Sequence, residues 1–308
     1  MAQQSISNPK KINNKIGVPV SDKVLLAFND VFLWALMLAV LLPLIYILAA
    51  SFSSPSAVVA GRVLLWPVDF SLQGYEAVFS SNQLGMGFLN SFIYMAGGTV
   101  AALLATLMAA YPLSRKEMYG RNALMVFFTF TMMFNGGLIP TYLVMRDLGL
   151  VNSRLALIIP NALSVYYMIV ARTYFQTTIP DELAEAADLD GCSDIGFMIR
   201  IVLPLSGPLI ATLALFFAVT QWNSYFDALI YLSDSAKYPL QIILRNILIM
   251  NQMDGTTMVS VEQMERSQGM RELLKFSLIV VSSAPVLAIY PFVQKYFIRG
   301  IMIGAIKG

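Results

Sequence analysis

Gln221, Trp222, Asn223, Tyr225 and Asp227 interrupt an otherwise apolar stretch from about Pro208 to Leu232. Amides beside flat aromatic rings suit a saccharide, which offers hydroxyls at its edge and C–H groups on its face. Two other apolar stretches are interrupted in the same way. One carries Asn135-Gly136-Gly137 and Pro140-Thr141, the other Pro160-Asn161, Ser164, Tyr166 and Tyr167. Polar groups in an apolar helix face a wet cavity or the bundle interior. Asn135, Asn161, Tyr167, Gln221, Trp222, Asn223 and Tyr225 are therefore candidates to line a passage. Gln221 and Tyr225 are four apart on one helical face, as are Asn223 and Asp227. The competing use is hydrogen bonding between helices, with Trp222 and Tyr225 as interface anchors. Asp227 is expected to pair within the protein.

Other chemistry is missing. The 308 residues contain no histidine and one cysteine, Cys192. That removes Ser-His-Asp hydrolases, His-based zinc proteases, Cys-His proteases and an internal disulfide. Cys192 reads as a small packing residue. No lysine is followed by Ser or Thr, so no nucleotide-cradling loop of the G-x-x-x-x-G-K-[ST] type is present. A net charge of +2 gives no field for nucleic acid. No cofactor or metal is expected on this chain.

The elements that hold these residues are set by the solvent. The chain is 57% hydrophobic and 12% charged, with mean hydropathy +0.69, whereas soluble domains carry about 25% charge. About 20 apolar residues cross a bilayer as a helix. Six spans fit the gaps between charges, at about 31–50, 86–113, 122–145, 155–171, 208–232 and 276–298, after an N-terminal arm (1–30) and before a tail (299–308). The first is too long for a signal-peptide core and reads as retained. With the N-terminus inside, twelve of the twenty lysines and arginines flank cytoplasmic ends, which places both termini in the cytoplasm. The second span carries Gly97, Ala101, Ala105 and Ala109, a small-residue stripe for close packing. Outside lie 51–85, rich in Pro and aromatics and expected to fold as a cap on the membrane surface, and 233–275, polar and charge-balanced. Either segment is a mere linker or part of a vestibule where cargo arrives.

Inside, 172–207 is longer than a connecting loop needs. Thr177 or Thr178 can cap a helix that starts near Pro180, with Asp181 and Glu182 favoured by the dipole. Gly191 breaks it, and Ser193 or Asp194 can cap a second short helix. Six acids fall between residues 181 and 194, a helix–turn–helix suited to being held by a partner.

This segment carries a resemblance. Glu185-Ala186-Ala187, three residues, Gly191, nine residues, Ile201-Val202-Leu203-Pro204 is similar to the EAA motif of permease subunits in binding-protein-dependent ABC importers. EAADLDG with LPLSGP resembles the carbohydrate-uptake branch. SFSSP (51–55), AYPLSRK (110–116), QWNSYFDALIYL (221–232) and IRGIMIGAIKG (298–308) are similar to its complex-oligosaccharide, alginate-like subgroup. The resemblance implies an all-α integral membrane protein of the type I importer, MetI-like permease fold, with six transmembrane helices and a cytoplasmic EAA coupling helix–turn–helix, in a bacterial cell membrane. It implies that Glu185, Ala186, Ala187, Asp190 and Gly191 dock on an ATPase subunit and that Leu203-Pro204 joins this element to the fifth span. The implied partners are a second, different permease, two ATPase subunits holding ATP and magnesium, an extracytoplasmic binding protein, membrane lipid and a sugar or oligosaccharide. A charged cargo would be read mainly by the binding protein, since the third to fifth spans hold no basic residue away from their ends. The alternative, an ion-coupled secondary transporter, would rest on Asp227, the one acid within a span.

Overall fold

The computed structural model describes residues 20–253 and 261–305, and every regular element among them is helical. In order these are α1 (Val20–Ser51), α2 (Pro55–Val59), α3 (Gln73–Ser80), α4 (Asn82–Ser114), α5 (Arg121–Met133), α6 (Leu138–Asp147), α7 (Leu155–Ile158), α8 (Val165–Thr178), α9 (Asp181–Leu189), α10 (Asp194–Phe197), α11 (Leu203–Leu205), α12 (Gly207–Trp222), α13 (Phe226–Tyr231), α14 (Leu240–Met253) and α15 (Val261–Ala305). A π-helical turn (Met198–Val202) joins α10 to α11. The arm 1–19 and the last residues 306–308 lie outside the described residues.

Among the described residues, three helices are long and apolar enough to cross a membrane, within Asp22–Ser51, Asn82–Ser114 and Gln268–Ile289. Two more crossings require joining helices across a bend. The single span expected over 122–145 is α5 and α6 at 114°. There Gly137 sits at φ +89°, and the Asn135 side chain accepts from its backbone N–H at 2.8 Å, a local turn that outcompetes helix continuation. The span expected over 155–171 is α7 and α8, split at Pro160, which has no N–H for the ladder. The one expected over 208–232 ends at Trp222 and resumes at Phe226. Apolarity dictated burial from water along these stretches without dictating one straight helix.

α4 is the axis. It packs against α12, α8, α14 and α7. The buried small-residue stripe runs through Gly98, Ala102, Thr106 and Ala110, one residue on from the expected one. The Gly97, Ala101, Ala105 and Ala109 stripe is half-buried on the flank, where a Cβ on Gly97 would lie 3.2 Å from Ile158. Both stripes suit close approach; the bulk of Gln221 over Gly98 decides between them.

Segments 51–85 and 233–240 are more than linkers. Between α1 and α4, Phe52 stacks on Phe70 (5.8 Å) and meets Tyr75 at a tilt (4.9 Å), and the α2–α3 cap packs on α15. Residues 233–240 are bolted to α4 and to the loop before α7. Asn90 donates to the Ala236 and Tyr238 carbonyls and accepts from Arg154. The Tyr94 hydroxyl donates to the Lys237 carbonyl at 2.8 Å, and Asn152 accepts from the N–H groups of Ser233 and Asp234.

Two buried clusters sit at opposite ends of α4 and α12. One gathers Tyr94, Trp222, Leu232, Leu240 and Leu278. The other gathers Ala110, Phe175, Ala187, Phe197, Val202 and Leu213. The glycine at 98 is what lets α4 and α12 run side by side between them, since a Cβ there would fall 2.5 Å from Gln221 Cδ. Gly98→Leu is expected to cost about 1–3 kcal/mol by overpacking, read as a lowered Tm of the detergent-solubilised protein; Gly85→Leu, with open space around it, serves as the neutral control.

Candidate functional site

At one end, α9 and α10 form a hairpin. It begins without a threonine cap: Pro180 is the residue before α9 and makes no side-chain cap. The Thr177 hydroxyl is spent inside α8, donating to the Thr173 carbonyl at 3.0 Å. Gly191, at φ +71°, occupies the left-handed region that other residues reach only at a cost. Its N–H donates to the Asp188 carbonyl, and that of Cys192 to the Ala187 carbonyl. Ser193 caps α10, accepting from the Gly196 N–H at 3.2 Å. Of the motif residues, Ala187 is buried in the core, while Glu185, Ala186 and Asp190 face out. On the same hairpin Leu189 is 90% exposed and Ile195 69%, apolar side chains presented alongside the acids. Leu203 and Pro204 form α11, from which the chain turns 82° into α12.

Both α8 and the hairpin meet the end of α4. The last carbonyls of a helix have no partner within it. Here Arg172 donates to the Leu113 carbonyl at 2.9 Å and Gln176 to that of Ser114 at 3.3 Å, both from α8. The Arg115 guanidinium lies between two rings, 5.1 Å from the centre of Tyr111 and 5.0 Å from that of Phe197. Lys116 meets Asp181 at 2.6 Å. The hydrogen bond first, and then the charge of Lys116, hold the Asp181 carboxyl below its ordinary range, and Asp181 in turn raises Lys116. This contact is therefore intact at neutral pH. It loosens in acid, as falling pH protonates Asp181, or in strong alkali, as Lys116 loses its proton. Both groups are exposed, so the contact orients the hairpin more than it stabilises the fold.

At the other end a cavity of about 780 Å³ opens between α1, α12, α14 and α15. Trp222, Asn223, Tyr225, Gln241, Arg245 and Ser282 supply its polar and aromatic wall, and Leu44, Leu244, Val286 and Leu287 its apolar one. A smaller cavity of about 200 Å³ adjoins it, sharing Asn223 and Tyr225 and adding Asn161, Gln221 and Asp227. Five of the seven pathway candidates thus line one cavity or both.

Their roles differ from the helical pairing expected. With α12 ending at Trp222, Asn223 and Asp227 do not share a helical face, and neither do Gln221 and Tyr225. Asn223 donates to the Val219 carbonyl at 2.9 Å. Asp227 accepts from Asn161 at 2.7 Å, so its partner lies within the protein. Trp222 is 1% exposed and donates to the Ser282 carbonyl at 3.0 Å. Gln221 packs over Gly98, and its Oε1 meets no donor among the described residues. Asn135 only shapes the α5–α6 bend, and Tyr167 stacks on Phe216 at 5.7 Å in the hairpin-side core; neither lines these cavities. Gln241, Arg245, Ser282 and Ser283 were not anticipated. The signal for Arg245 was a lone cation inside the apolar run LQIILRNILIM of α14, within a segment read simply as polar. Among the described residues no cluster of His, Cys, Asp and Glu that could hold a metal is present.

Residues 98–303 match the family described as binding-protein-dependent transport system inner membrane component. The chain is 44% identical over 278 residues to the polygalacturonan/rhamnogalacturonan transport system permease protein YtcP of Bacillus subtilis (strain 168), covering 90% of this chain and 96% of that protein. It is 40% identical over 280 residues to protein LplC of the same organism, covering 91% and 94%. Among solved structures it is similar to a bacterial ABC transporter involved in the import of the acidic polysaccharide alginate, with TM-score 0.83, 35% identity, and 91% of this chain and 99% of that one covered. A hairpin with outward-facing acids, a cavity at the far end of α12 and the absence of any nucleotide loop agree with that family over an ion-coupled transporter. The chain belongs to the binding-protein-dependent inner membrane components and is a multi-pass permease subunit of an ABC importer.

Proposed function

We propose that this permease imports a saccharide handed over by an extracytoplasmic binding protein, and that two ATPase subunits drive it through the α9–α10 hairpin. The observation that carries this reading is a hairpin that exposes Leu189 and Ile195 together with Glu182, Glu185, Asp188 and Asp190, on a chain with no nucleotide loop of its own. These side chains suit an apolar cleft edged by basic residues. In this reading Glu185, Ala186 and Asp190 meet the ATPase, Ala187 seats the helix against the core, Gly191 sets the turn, and Leu203-Pro204 carries the motion into α12. No cofactor acts on this chain; ATP and magnesium belong to the ATPases. The hairpin lies on the cytoplasmic side, as do both termini, and the cavity beside Tyr225 lies toward the outer side.

The saccharide class is supported by the names of the relatives and by the amides, hydroxyls and exposed Tyr225 ring around the cavity. A second, different permease completes the passage, and the uncovered apolar faces of α1, α5 and α6 are surface it can share with lipid.

Closure of the ATPases would push the hairpin, and its contacts with the end of α4 through Arg115 to Phe197 and Lys116 to Asp181 pass that push to the axis of the bundle. Gly191→Pro forces φ to about −65° where +71° is required. It is expected to abolish ATP-dependent uptake in proteoliposomes while the chain still inserts; normal uptake by that variant would sink the coupling role of the hairpin. Arg115→Ala removes both ring contacts, each worth about 0.5–1 kcal/mol and up to about 2 where desolvated. Hydrogen exchange should speed up across 194–205, and ATP turnover should rise relative to sugar transported.

A further inference from the structure

We infer that the cavity between α1, α12, α14 and α15 is a subsite for an acidic sugar unit, with Arg245 as the group that pairs its carboxylate; this rests on the saccharide-import reading above. Arg245 is half-buried on α14 and is the one charged residue among the described residues of the cavity wall. No ion pair to it exists among the described residues. A cation held against apolar helices without a counter-ion is costly, so a lone cation on a cavity wall is a candidate to meet an anionic ligand there. The nearby acid, Asp227, faces the smaller cavity and is engaged by Asn161, so it leaves Arg245 available.

The rest of the wall fits the remainder of a uronate. A guanidinium offers a planar fork that binds a carboxylate through two parallel hydrogen bonds. Asn223 uses its amide N–H on the Val219 carbonyl, which leaves its oxygen to accept from a sugar hydroxyl. The Ser282 and Ser283 hydroxyls donate to the Ile279 carbonyl, and each keeps lone pairs for the same purpose. Gln241 adds a second amide. Tyr225, 45% exposed, is the ring available to a C–H face, whereas Trp222 is too enclosed to stack and instead forms the floor. The volume of about 780 Å³ falls in the range of small-molecule sites, about 300–1,000 Å³. Charge selection would then occur within the membrane subunit as well as in the binding protein.

The test uses the whole importer, this chain with its partner permease, ATPases and binding protein, in proteoliposomes. ATP-driven uptake of labelled trigalacturonate is compared with that of its fully methyl-esterified, uncharged form. Arg245→Gln is expected to lower the acid-to-ester uptake ratio about tenfold or more, the effect of losing a charge-assisted pair. Arg245→Lys, which keeps the charge and loses the fork, should fall between. ATPase stimulation by the loaded binding protein reports that each variant assembles. An unchanged ratio in Arg245→Gln, equal loss of both substrates, or wild-type uptake confined to neutral saccharides would each overturn the assignment of Arg245 while leaving saccharide import standing. A wild-type importer that moves no saccharide at all would overturn the import reading itself.

Discussion

In hydrocarbon there is no water to receive a stray N–H or C=O, so wherever this chain interrupts a helix a side chain must take the vacated bond. The bend between α5 and α6 is closed by Asn135 on the Gly137 N–H. The end of α12 is closed by Asn223 on the Val219 carbonyl, and the end of α4 by Arg172 and Gln176 on the Leu113 and Ser114 carbonyls. The segment 233–238, which has little helix of its own, takes its bonds from Asn90, Tyr94 and Asn152. Polar residues in an apolar chain are thus consumed first by the backbone. What is left over, on Tyr225, Gln241 and Arg245, is what the cavity offers a ligand.

This constraint connects the two ends of the molecule. α4 spans both buried clusters, and small residues along it allow α12 and α8 to approach closely. The hairpin grips the same helix through contacts of unlike strength. The Lys116–Asp181 contact is exposed and contributes little to stability, whereas Phe197 and Ala187 are buried and the Arg115 guanidinium is sandwiched between rings. A displacement of the hairpin must therefore move α4 or open its own core.

The sequence told more about composition and motif than about path. The charge-free run of α1 was evident at its apolar core, but eleven preceding residues, Val20 to Asp30, also join the helix; a single Asp or Lys ends an apolar window without ending a helix. Asn135-Gly136-Gly137 and Pro160-Asn161 were visible as interruptions, yet hydropathy summed over the window hid their bends. The stripe on α4 was displaced by one residue because glycines and alanines fill both faces, and only a partner helix chooses between them. The hairpin was legible because Gly191, Ser193 and the acids act locally. Arg245 was not, since its meaning comes from residues of α1 and α15 that lie far from it in sequence, Leu44 on one side and Ile279 to Leu287 on the other.

The apolar length of α1 has a further consequence. From Asp22 to Leu42 every residue is exposed to the surroundings of the chain, and only Ala49, Ala50 and Ser51 are buried at its far end. Nothing within the described fold distinguishes leucine from isoleucine or methionine at those positions. Substitutions there change the outline the protein presents and leave its interior untouched. Any preference found among them is thus a record of what surrounds the chain, and a scan of α1 reads the neighbours while a scan of α4 reads the protein itself.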